Sequence, residues 1–178
     1  MSLVRIASRY AKSLIDLALE RNNLAKVVSD MTDFKETLKN RELLLVFKSP
    51  IIDAGKKTSI VNSIYASSMD ELSLEFIKLV IKKGREALLP EIADEVIAQY
   101  KRMQQITSVT VTSAVALDEA TLDQVKAKMA QFGYKTEKLE IITKINPSII
   151  GGYILQIGDQ MYDASVLGSF EKLRKELA

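Results

Sequence analysis

The tetrapeptide Gly55-Lys56-Lys57-Thr58 is the first place in this sequence where phosphate chemistry suggests itself. A phosphate-binding loop needs a glycine five positions earlier, a hydroxyl directly after the lysine and a strand leading in, because backbone amides and a helix dipole do the binding. Pro50 stands at the first of these positions and Lys57 at the second, and no strand precedes. The segment is therefore expected to be a solvated first helical turn. Ser169-Phe170-Glu171-Lys172 has the Ser-x-x-Lys spacing of some hydrolases but lacks the companion Lys-Thr-Gly; lysine there more simply covers a helix end. The pair Gly151-Gly152 fits neither the dinucleotide nor the RNA-clamping glycine pattern. Asp159 and Asp163 offer two carboxylates where a cation needs an oxygen cage. Structural roles are expected for all four.

The composition narrows the chemistry further. Among 178 residues there is no histidine and no cysteine. That excludes thiol nucleophiles, disulfides, Ser-His-Asp triads and thiolate or imidazole metal sites. Catalysis would have to use carboxylates, lysine, tyrosine, hydroxyls or an all-oxygen metal site. The content is 47% hydrophobic and 27% charged, which is that of a globular chain, and the net charge of +2 marks no nucleic-acid binder. No apolar run approaches the roughly 20 residues of a membrane span. Arg5, Arg9 and Lys12 resemble a transit peptide only until Asp16 and Glu20 continue the same helical pattern; these residues are expected to belong to the mature fold.

The elements that would position any site change character midway. Val4–Leu19 carries Ala7, Ala11, Leu14 and Ala18 at helical spacing, with Ile6, Tyr10 and Leu17 widening the stripe. A second helix is expected over about 24–39, and Asp53 and Asp70 are suited to cap two more. Behind Asp70, the residues Leu72, Leu74, Phe76, Ile77, Leu79, Val80 and Ile81 surround nearly the whole helix, so it must be buried or lend a face to a partner. Lys82-Lys83-Gly84 closes it, and a last helix is expected over about 85–104 with Pro90 in its first turn. At Ile106 the period becomes 2. Thr107, Val109, Val111, Ser113 and Val115 face one way, Asp118 caps a helix with Leu122, Val125, Met129 and Phe132, and a strand follows with Leu139, Ile141, Thr143 and Ile145 inward. A glycine turn, a hairpin across Gly158-Asp159 and a helix with Val166, Phe170, Leu173 and Leu177 complete a β-α-β-β-β-α tail. The expected fold is mainly α: a helical front over 1–105 and a small α/β domain over 106–178.

The apolar surplus on the first helix and on Leu72–Ile81 has two readings. One is ordinary core packing. The other is a groove accepting an amphipathic helix, a recognition mode that uses anchors at i, i+3, i+4 and i+7 and no reactive groups. A carboxylate enzyme would instead need a pocket of convergent perturbed acids, and an RNA-binding module an affinity that falls steeply with salt.

Several segments together resemble the delta subunit of the F-type rotary ATP synthase, the family of the mitochondrial oligomycin-sensitivity-conferring protein. Ala7-Ser8-Arg9-Tyr10-Ala11-Lys12-Ser13-Leu14, Lys48-Ser49-Pro50 with Lys56-Lys57, and Phe76-Ile77-Lys78-Leu79-Val80 with Gly84-Arg85 carry the resemblance in the front half. In the tail it rests on Val111–Leu117, Asn146-Pro147-Ser148-Ile149-Ile150-Gly151-Gly152, Gly158-Asp159 and Asp163-Ala164-Ser165-Val166. Asn146, Leu167 and Ser169 depart from the family pattern, where aspartate and then basic residues are usual. The resemblance implies an N-terminal six-helix bundle and a C-terminal α/β domain in a non-catalytic stator subunit without cofactors. It implies that the bundle binds the N-terminal helix of one alpha subunit between its first and fifth helices, here at Ile6, Tyr10, Ser13, Leu14, Phe76, Leu79 and Val80. The tail, with its signature residues Gly151, Gly152, Gly158, Asp159, Asp163 and Ser165, would join the b subunits of the peripheral stalk. The protein would be a monomer within the complex, bind no nucleic acid, and meet the cytoplasmic face of a bacterial membrane only through its partners.

Overall fold

The structure is a computed structural model that describes residues 3–134 and 138–177. The chain is mainly helical with one small sheet, and it divides into two compact units, Met1–Lys101 and Arg102–Ala178.

Six helices make up the first part: α1 (Leu3–Glu20), α2 (Leu24–Thr37), α3 (Arg41–Lys48), α4 (Ala54–Tyr65), α5 (Glu71–Lys82) and α6 (Leu89–Gln104). Their starts follow from local chemistry. The side chains of Asn40, Asp53 and Asp70 accept hydrogen bonds from the amides of Glu42, Lys56 and Leu72, capping α3, α4 and α5. Gly84, at φ +65°, takes the left-handed step after α5. The helix expected from residue 85 begins only at Leu89, after a short 3-10 turn over Glu86–Leu88. Proline lacks an amide and crowds the carbonyl four residues back, so Pro90 fits only if the helix begins beside it. α2 stops at Thr37, two residues short of the expected end.

One hydrophobic core unites these helices. It holds Ala7, Ala11, Leu14 and Ala18 of α1, Val27, Met31 and Phe34 of α2, and Phe76, Ile77, Val80 and Ile81 of α5. Phe34 meets Phe47 and Tyr65 edge to face, with ring centres 6.0 and 5.5 Å away. Two charged side chains lie inside. Asp30 pairs with Lys26 at 2.8 Å and accepts the Asp70 amide at 2.9 Å, tying α2 to the start of α5. Lys57 is 1% exposed, which corrects the expectation of a solvated turn. Its ammonium donates to the carbonyls of Phe47 (3.2 Å) and Ser49 (2.7 Å) and to Glu86 Oε1 (2.6 Å). These acceptors are the open end of α3 and a residue 29 positions away, so no local pattern announces them.

The second unit runs β1 (Thr107–Ser113), α7 (Glu119–Gln131), β2 (Leu139–Ile145), a 3-10 turn (Pro147–Ile149), β3 (Gly152–Ile157), β4 (Gln160–Ser165) and α8 (Val166–Glu176). The sheet order is β2-β1-β3-β4. β1 and β2 are parallel with Val109 beside Ile141, the pairing that a helical crossover such as α7 permits. β1–β3 and β3–β4 are antiparallel, with Val111 beside Leu155 and Leu155 beside Tyr162. Val109, Val111 and Leu155 pack with Val125 and Met129 of α7.

Several positions expected inside are outside. Val115 lies past the end of β1 and is exposed, and Phe132 is half exposed beyond α7. On the edge strand β2, Leu139 and Ile141 reach the core, whereas Thr143 and Ile145 are exposed. The stripe of α8 is likewise open: Val166, Phe170, Leu173 and Leu177 are all exposed. Alternation marks a face as apolar but does not supply the element that covers it.

Candidate functional site

α1 and α5 lie side by side in opposite directions. At one end Arg85, just past α5, donates to Tyr10 Oη at 2.9 Å. At the other end α2, which follows α1, is tied to the start of α5, where Lys26 donates to the Ser68 carbonyl and Asp30 accepts from the Asp70 amide. Between the two helices is a hollow of about 560 Å³. Its floor is Leu14, Leu72 and Phe76, all buried in the core. Tyr10 stands edge-on to Phe76 with ring centres 6.3 Å apart, and the Arg85 guanidinium lies 5.5 Å from the Tyr10 ring centre. Leu17 and Leu79, 37% and 46% exposed, form the open walls. Arg21, Glu71 and Glu75 rim the end where α5 begins. Ser13 Oγ is turned back to the Arg9 carbonyl at 3.0 Å, so it lines the hollow without offering a free donor.

Of the seven residues expected in a groove, Tyr10, Ser13, Leu14, Phe76 and Leu79 line this hollow. Ile6 sits one turn earlier on the same stripe of α1, half-buried and outside the hollow. Val80 is fully buried in the core and faces away. Leu17, Arg21, Glu71, Leu72 and Glu75 were not expected. A signal existed for three of them, because Leu17 follows Leu14 by three residues, and Glu71 and Glu75 precede Leu79 by eight and four.

The tail's signature residues serve the fold. Gly152 (φ +74°) crosses β4 so closely that a Cβ would lie 2.3 Å from the Ala164 carbonyl oxygen. The Gly151 carbonyl accepts the Val166 amide, Ser165 Oγ accepts the Gly168 amide, and Asp163 Oδ1 accepts the Ser165 amide, so three of them build the start of α8. Bonding to the Ser165 hydroxyl and amide holds the Asp163 carboxyl below its ordinary range. Gly158-Asp159 forms the two-residue turn at the opposite end of the hairpin, with positive φ at Gly158. Ser169 Oγ donates to the Ser165 carbonyl at 3.0 Å, the bond of a helical first turn and not of a Ser-Lys pair. Among the described residues no three acids gather as a metal site would require.

What this arrangement can do is hold another surface. An apolar floor with half-exposed leucine walls and a charged rim is suited to contact with another surface, as in proteins that act by association. The chain belongs to the ATP synthase delta (OSCP) subunit family, whose model matches residues 6–177. It is 37% identical to the ATP synthase subunit delta of Cytophaga hutchinsonii over 177 residues, covering 99% of this chain and 96% of that one. It is 34% identical to that of Flavobacterium psychrophilum over 179 residues, covering 100% and 99%. In fold it is similar to a chain of the Toxoplasma gondii mitochondrial ATP synthase hexamer, with a TM-score of 0.73, 21% identity and 96% of each chain covered.

Proposed function

We propose that this chain is the non-catalytic stator subunit of an F-type ATP synthase, joining the catalytic head to the peripheral stalk and resisting torque during proton-driven synthesis. The observation that carries the reading is the α1–α5 hollow, with Leu17 and Leu79 exposed over a floor that belongs to the core. In this reading the six helices act as one bundle, and the N-terminal helix of an alpha subunit lies in the hollow with its apolar face on Tyr10, Leu17, Phe76 and Leu79. Holding against torque requires slow dissociation. Desolvated apolar anchors provide it better than exposed ion pairs, each worth only about 0–1 kcal/mol.

The tail takes the stalk. Val166, Phe170, Leu173 and Leu177 are spaced four, three and four apart, the seam of a two-helix contact, and all are exposed. The C-terminal helices of the b subunits are the partners assigned to that seam. No helix among the described residues is long and apolar enough to cross a membrane. In this reading the chain meets the membrane through the complex, on its cytoplasmic side. The test is to capture the tagged protein from its own cells and ask which chains accompany it. Recovery of alpha and b supports the proposal, and capture of neither contradicts it.

A further inference from the structure

A second hollow, of about 460 Å³, opens at the hairpin end of the tail unit. Phe132 and Tyr134, just past α7, line it together with Ile157, Gln160, Met161 and Tyr162 of β3 and β4. Met161 is 70% exposed, Phe132 47% and Tyr162 40%, so three large side chains from two parts of the fold meet in the open. Single exposed apolar residues are ordinary, whereas a cluster of them marks a contact surface. Beside the hollow stands Lys128, half-buried on the last turn of α7. Its ammonium lies 5.7 Å from the Phe132 ring centre and 5.5 Å from that of Tyr162, and the two ring centres are 5.7 Å apart. The cation is about equally near two inclined rings, and attraction to their electron-rich faces holds it in place. No acid balances it. Among the described residues Lys128 forms no ion pair, Asp159 in the adjoining turn included, and no carboxylate lines the hollow. An ammonium has three donors, and none of them is committed within the described chain.

We propose that this hollow is a second docking site on the tail, for an acidic protein segment. A large apolar side chain of that segment fills the space among Phe132, Met161 and Tyr162, and a neighbouring Asp or Glu reaches Lys128. The chemistry of the occupant follows from the charge. A basic segment would set like charges against an ammonium already held by the rings, which is penalised. A purely apolar one would bury that ammonium without an acceptor. A carboxylate within about one helical turn of the apolar anchor avoids both costs. Its hydrogen bond to the lysine is charge-assisted, and a donor already pinned loses little side-chain freedom on binding. No residue of α8 lines this hollow, and α8 starts at the opposite end of the hairpin, where Gly151 accepts the Val166 amide. The occupant is therefore a separate contact from the one assigned to the α8 seam, and the proposal rests only on the chain working within the synthase.

The purified synthase supplies the test. The full chain, with the photo-crosslinker benzoylphenylalanine in place of Met161, is assembled into the complex and irradiated, and the cross-linked peptides are sequenced. The expected result is one captured segment of another subunit, with an Asp or Glu within about one helical turn of the apolar residue captured. Lys128→Glu should lower the cross-linking yield about tenfold, and changing the captured segment's acid to lysine should restore it in that background. Lys128→Arg, which keeps the charge, should retain most of the yield. Melting of each isolated variant by circular dichroism separates these effects from unfolding, and Lys128→Gln serves where Lys128→Glu melts early. A complex that contains the chain but gives no cross-link to another subunit overturns the site. A captured segment without an acid, or a yield indifferent to loss of the Lys128 charge, does the same. Absence of the chain from the purified synthase overturns the stator reading, and the site's partner with it.

Discussion

Lys57 is the residue whose chemistry the fold depends on most sharply. Its ammonium sits almost fully buried against two carbonyls at the end of α3 and the carboxylate of Glu86. A buried pair of this kind adds little over an apolar replacement of both partners, but removing one partner is costly because the other stays behind. Lys57→Met is therefore expected to lower unfolding free energy by about 3 kcal/mol, read from the urea midpoint. Burial pushes the Glu86 carboxyl up, but the Lys57 ammonium and the backbone amide outweigh it and hold it below the ordinary 4.5. A carboxyl lowered by folding contributes its full stability above the unfolded value and loses it as pH falls through the folded one. Urea midpoints from pH 7 to pH 3 should therefore bring wild type and Glu86→Gln together toward the acid end. A constant gap across that range would show that ionisation of Glu86 contributes nothing.

At the scale of elements, two features of the tail can be separated by mutation. The crossing of β3 over β4 at Gly152 leaves no room for a side chain, whereas Gly158 at the hairpin tip has nothing within 4 Å of an added Cβ. Gly158→Ala should cost the roughly 1–2 kcal/mol of a left-handed alanine. Gly152→Ala adds a clash with backbone to the same penalty and should cost clearly more, with loss of amide-exchange protection across β3 and β4. The apolar seam of α8 makes the converse prediction. Phe170 is 60% exposed, so Phe170→Ser should change stability by no more than about 0.5 kcal/mol while weakening capture of the stalk partner. A large loss of stability from Phe170→Ser would mean that the seam belongs to this molecule's own core. The helix starts at Asp53, Asp70 and Asp118 were legible in the sequence because a cap is a local event, and each aspartate does accept the amide expected of it. The exposure of Ile145 and Phe170 was not, because it depends on which faces find a cover.

For the molecule as a whole, the change of hydrophobic period near Ile106 marks where helices give way to sheet, and the structure places its own division between Lys101 and Arg102. Of the expected groove residues, Tyr10, Ser13 and Leu14 come together from α1, whose stripe has a defined face, and Phe76 and Leu79 join them from α5. Val80 lies in the core and not in the hollow, for a physical reason. On α5, apolar nearly all round, periodicity alone does not say which side is core and which is hollow. The same ambiguity identifies the useful mutation. Leu14 and Phe76 belong to the floor, so changing them would disturb the core, whereas Leu79 is half exposed and is expected to tolerate substitution better. The central claim is that the α1–α5 hollow holds the alpha-subunit helix. Calorimetric titration of the cognate alpha-subunit N-terminal peptide into wild type and Leu79→Asp, with helicity checked by circular dichroism, addresses it most directly. Binding to wild type and at least about tenfold weaker binding to Leu79→Asp, at unchanged helicity, is the predicted result; equal affinity for two equally folded proteins would contradict it.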